Sequence, residues 1–127
     1  MITPEYKQEL ALFHATNAFG HNSTVPDPIH DIIKSYDPKT ALDYGCATGG
    51  MVRTMTKTYP NIDTRGYDPA VPEFARSPYN AELVYCLDCL EHIEPDHLSS
   101  VLDHLFTLSD RILYLEICCV PATKRLS

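Results

Sequence analysis

The stretch AELVYCLD, residues 81–88, is apolar almost without a break, and RILYLEICCV at 111–120 is a run of the same kind. A strand that covers one side of a sheet alternates apolar and polar residues, whereas an unbroken run implies burial on both sides. Such strands belong to parallel sheets with helices packed on each face. The intervening segments carry the matching helical signature. Ile29, Ile32, Ile33 and Tyr36 fall at i, i+3, i+4 and i+7, one apolar helical face. Asp27 is the expected N-cap of that helix, Pro28 its first position, and Asp37-Pro38 its stop. Val52, Met55 and Tyr59 mark a second helix closed by Pro60. A third opens near Pro95 and buries Leu98, Val101, Leu102, Leu105 and Phe106. The expectation is an α/β fold with four parallel strands, near 40–44, 63–68, 81–88 and 111–120. Tyr6, Leu10 and Phe13 predict a further short helix over 4–14. Residues 1–38 then form a helical cap on a core of 39–120, within one domain spanning 1–127.

Charge narrows the choice of partner. The net charge is −7, from 10 Lys+Arg against 17 Asp+Glu, which disfavours a nucleic-acid backbone, since phosphate binding relies on clustered basic residues. No apolar run reaches the length of a membrane span. MITPEYKQEL has no basic segment leading into an apolar one, so a cytoplasmic location is expected. Cysteines stand at 46, 86, 89, 118 and 119, and in that compartment they are expected to be reduced. Cys86 and Cys89 have the C-x-x-C spacing of a zinc or redox site, but no second ligand pair has finger-like spacing. They are read as small buried side chains, with no metal site.

ALDYGCATGG, residues 41–50, places Asp43 at a strand end and crowds Gly45, Ala47, Gly49 and Gly50 into the following turn. Small residues there let a backbone approach a ligand closely at the C-terminal end of a strand. Asp68 ends the next strand; a carboxylate at that place can accept from both hydroxyls of an adenosine ribose, or simply cap the turn before Pro69. The dinucleotide fingerprint G-x-G-x-x-G/A fits as Gly45, Ala47 and Gly50, which admits a nicotinamide cofactor. The pattern D-x-G-x-G-x-G, with Ala47 for one glycine, fits S-adenosylmethionine and also accounts for Asp43. If φ at Ala47 is negative its methyl is harmless, and if positive it costs about 1 kcal/mol or more.

Further along stands YCLDCLEHIEPDHLSSVLDHL. With ALDYGCATGG and GYDPA it resembles the class I S-adenosylmethionine-dependent methyltransferases, many of which carry a strand ending in D-x-L-E-H followed by a helix. The similarity spans roughly residues 39–117 and is greatest to small methyltransferase-domain proteins of bacteria and their phages. The resemblance implies a Rossmann-like three-layer α/β/α sheet with S-adenosylmethionine as cofactor. Gly45, Cys46, Ala47 and Gly49 would face its methionine part, and Asp43 would hold the loop or the amino group. Asp68 would take the ribose hydroxyls, Leu87 and Asp88 would line the cofactor, and Glu91 and His92 would stand on the substrate side. Should the acceptor need a base, His92 is the first candidate by intrinsic pKa, with Glu91 and Asp88 behind it; otherwise His92 closes a strand-to-helix loop. Tyr44 and Tyr67 flank the two turns, either packing on the cofactor or serving as core.

The family's sheet normally ends in two more strands, which form an antiparallel edge. This chain reaches PATKRLS instead, so an incomplete sheet is expected. That would leave the apolar strand at 111–120 on an edge, and an uncovered edge of this kind implies a homodimer, unless the PATKRLS tail folds back and shields it in a monomer. Three functions stay open: methyl transfer to an unidentified acceptor, a small molecule before a nucleic acid; a catalytically silent cofactor-binding or interaction protein; and a nicotinamide-binding fragment.

Overall fold

The computed structural model describes residues 10–16, 24–87 and 93–118. Its strands are β1 (Leu10–Thr16), β2 (Thr40–Tyr44), β3 (Asp63–Tyr67), β4 (Ala81–Leu87) and β5 (Ser109–Cys118). The helices are α1 (Asp27–Tyr36), α2 (Gly50–Thr58) and α3 (Pro95–Leu108). All strand pairs are parallel, in the order β1-β5-β4-β2-β3.

Successive strand residues point to opposite faces, and the two faces have separate cores. On one, Ala41, Leu83, Tyr85 and Ile112 meet the α1 isoleucines and Met51 and Met55 of α2. On the other, Leu42, Val84, Leu113 and Leu115 meet Leu105 and Leu108 of α3. The unbroken apolar runs are therefore buried on both sides, as expected for a three-layer α/β/α sheet. Ile29, Leu83 and Leu105 are fully buried, and each such side chain contributes about 1.5–3 kcal/mol. Asp37 ends α1 in the left-handed region at φ 48, its amide donating to the Ile33 carbonyl. The N-cap is Pro26 rather than Asp27; Asp27 lies in the first turn, where its negative charge suits the helix dipole.

The main departure from expectation is β1. Leu10, Phe13 and their neighbours form a strand, not a helix, and among the described residues the sheet has five strands rather than four. Three residues at helical spacing, Tyr6, Leu10 and Phe13, are a thin signal, and pairing along β5 from Leu10↔Ile112 to Thr16↔Cys118 outweighs it. The correction reaches further. With β1 along it, β5 is not an edge strand, so the ground for a homodimer through 111–120 is removed. β5 also starts at Ser109, before Arg111, because α3 runs straight into it. Cys86 is disulfide-bonded, its partner lying beyond the described side chains. The reduced state expected of the cysteines rested on compartment, not geometry, and does not hold for this one.

The connections position the site. From β2 the chain passes through α2 outward to β3, and from β4 through α3 the opposite way to β5. Strand order thus reverses between β2 and β4, and open α/β sheets bind ligands beyond the carboxyl ends of strands at such a point.

Candidate functional site

Three backbone positions with positive φ build the turn after β2: Gly45 (φ 82), Ala47 (φ 51) and Gly49 (φ 88). The Gly45 and Cys46 amides both donate to the Tyr67 carbonyl, at 2.6 and 3.1 Å, tying the turn to the end of β3. The Ala47 amide donates to Asp68 Oδ2 at 2.9 Å, and the Ala70 amide donates to Oδ1 of the same carboxylate at 3.0 Å. Asp68 therefore caps its own turn and clamps the β2–α2 loop. Each carboxylate oxygen keeps acceptor capacity for a further donor. α2 then starts from Gly49, with no side-chain cap on its first amides.

Ala47 holds the left-handed conformation that a glycine would adopt without strain. Exchanging it for Gly should relieve about 1–2 kcal/mol of backbone strain, offset by about 0.4–1 kcal/mol of added unfolded-chain entropy. Ala47→Gly is thus expected to leave stability unchanged or raise it by up to about 1.6 kcal/mol, as read by urea denaturation. A clear loss of stability would show that the methyl makes a useful contact.

Two residues that sequence reasoning passed over shape the loop. A Cβ on Gly66 would lie 2.6 Å from Cys46 Sγ and 3.0 Å from Val52 Cγ2. Gly66 gives the loop and α2 room to sit close on β3, and a lone glycine within a strand was the available signal. Gly66→Ala should destabilise by about 1–3 kcal/mol, the usual penalty for overpacking. A denaturation midpoint equal to wild type would contradict that. Phe74, in the short 3-10 turn Pro72–Phe74, lays its ring on the loop, 2.7 Å from where a Cβ of Gly49 would stand. Its carbonyl accepts from the Asp68 amide.

Asp43 is 3% exposed, and its carboxyl is pushed up to about 7. Burial is the main cause; the neighbouring Tyr85 hydroxyl counteracts it, and the negative charge of Asp68 adds to it. Burial also pushes the Cys46 thiol up to about 12, with the charges of Asp43 and Asp68 adding. The Cys46 side chain is turned into the packing over Gly66, while its amide donates to the Tyr67 carbonyl and its carbonyl accepts from the Gly49 amide. Leu87, at the carboxyl end of β4, is partly buried against the α1/α2 core. Asp88, Glu91 and His92 lie outside the described residues.

Tyr44 and Tyr67 belong to the α3 side. Their rings are 5.1 Å apart, His104 of α3 packs edge-on against both, and the Tyr44 hydroxyl is hydrogen-bonded to His104 Nδ1 at 2.8 Å. Of the two roles open to these tyrosines, packing is the one seen.

A family model described as a methyltransferase domain matches residues 16–121. The chain belongs to this methyltransferase-domain family. The match covers most of the chain and includes every element from β2 to β5. Comparison with curated proteins and with solved structures found no significant match. This methyltransferase-domain protein has, among its described residues, no helix long and apolar enough to cross a membrane.

Proposed function

We propose that this methyltransferase-domain protein transfers a methyl group from S-adenosylmethionine to a small-molecule acceptor. One observation carries the reading: a left-handed small-residue loop, clamped by Asp68, stands where strand order reverses. The residues fit the cofactor. Three positive-φ positions at small residues keep bulky side chains off the loop, and the α2 amides suit a carboxylate. In this reading Asp43 would meet an ammonium or sulfonium group, and Asp68 would receive ribose hydroxyls. Leu87 and Asp88 would line the cofactor from β4, with Glu91 and His92 facing the acceptor.

When bound, the sulfonium would supply an already activated methyl group, its sulfur retaining the bonding electron pair on transfer. The protein's part is mainly alignment, which can be worth up to about 7–11 kcal/mol of a barrier. Where the acceptor is a protonated oxygen or nitrogen, His92 takes its proton, with Glu91 or Asp88 in reserve. The net charge of −7 favours a small acceptor over a nucleic acid.

The test is incubation with methyl-labelled S-adenosylmethionine and separate metabolite, nucleic-acid and protein fractions. Label should appear in the metabolite fraction and fall sharply with His92→Ala. Label in nucleic acid alone would overturn the acceptor class. Cofactor binding without transfer to any fraction would favour the silent alternative.

A further inference from the structure

Asp43 of β2 and Tyr85 of β4 are partners in the sheet register. Their side chains leave the same face, on strands about 4.8 Å apart. Both are buried, at 3% and 0% exposure. The Tyr85 hydroxyl completes no hydrogen bond of full geometry, though its polarity already steadies the Asp43 anion. A buried hydroxyl left in that condition is destabilising, and a phenylalanine would fill the same space without that cost. Packing alone therefore gives no reason for the oxygen.

Other groups that bear on Asp43 do not supply its missing partner. Asp68, from the turn after β3, disfavours its ionisation, and Cys46 stays a neutral thiol. Tyr114 is one strand further, opposite Tyr85 in β5. Among the described residues, α1 and α2 bring Ile29, Met51 and Met55 to this core, while His30 is hydrogen-bonded to Tyr59.

We propose that Tyr85 is a positioning residue for the ligand site: its hydroxyl donates to the Asp43 carboxylate when a cationic group of the ligand ionises it, holding Asp43 in the charged form that meets the cation. Asp43 gives its proton to solvent in this step, and Tyr85 keeps its own. The proposal rests on the S-adenosylmethionine reading for the identity of the cation.

Two measurements test it, one independent of any ligand. In carbon-13 NMR titrations of the Asp43 carboxyl, Tyr85→Phe should raise the midpoint by about one pH unit, the scale of a hydrogen bond to a charged group. Tyr114→Phe should leave it in place. An unmoved midpoint in Tyr85→Phe overturns the pairing. In calorimetry with S-adenosylhomocysteine, Tyr85→Phe should bind about tenfold more weakly near pH 6 but within about twofold of wild type near pH 8.5, where both carboxyls are largely ionised. An equal loss at both pH values would mark a structural defect and overturn the positioning role. Absence of binding by wild type itself would overturn the cofactor reading and the ligand half of this proposal, while the NMR midpoint still decides the pair.

Discussion

Replacing Asp43 by Asn should remove a large part of the protein's loss of stability between acid and neutral pH. In the folded chain the Asp43 carboxyl holds its proton up to about 7, against 3.8 for an ordinary aspartate. Between those values the folded state binds more protons than the unfolded one, so stability falls as pH rises and the fall ends above the folded pKa. At about 1.4 kcal/mol per pH unit, the whole window is worth about 4 kcal/mol. Asn cannot ionise and has nearly the same shape. Urea denaturation of both proteins near pH 4 and near pH 8 should therefore show Asp43→Asn gaining a few kcal/mol on wild type at the higher pH. Parallel profiles would show that Asp43 ionises without penalty, contrary to its burial.

The second large effect is expected at Asp68. Its carboxylate accepts the Ala47 and Ala70 amides, so Asp68→Ala loosens the loop as well as removing the proposed ribose contact. The expected loss of cofactor affinity is about 1–3 kcal/mol, the scale of hydrogen bonds to a charged group. Asp68→Asn keeps one acceptor oxygen but no charge, and should fall between the two. Unchanged affinity in Asp68→Ala, measured by calorimetry, would remove Asp68 from the site.

What was legible in the sequence had redundant signals behind it. α1 was marked by four apolar residues at helical spacing between a proline and Asp37-Pro38, and β4 by a run too apolar for a one-sided strand. The loop after β2 was legible because glycine carries conformational information. Where signals were single or depended on distant partners, the reading failed or stayed open. β1 owes its form to a partner about a hundred residues away, which local spacing does not encode. The packing of Tyr44 and Tyr67 depends on His104 of α3, a partner distant in the sequence. The sign of φ at Ala47 follows from the amides that Tyr67 and Asp68 accept. Cys46 was legible as a loop residue, but its inward turn depends on the space that Gly66 leaves.

The central claim is that S-adenosylmethionine binds the loop between β2 and α2. The most direct test is an amide NMR titration of the whole chain, comparing S-adenosylmethionine with NAD. The account predicts that S-adenosylmethionine shifts the amides of Gly45, Ala47, Gly49 and Asp68 together, and that NAD leaves them where they are. Shifts at these amides produced by NAD instead, or none from S-adenosylmethionine, would contradict it.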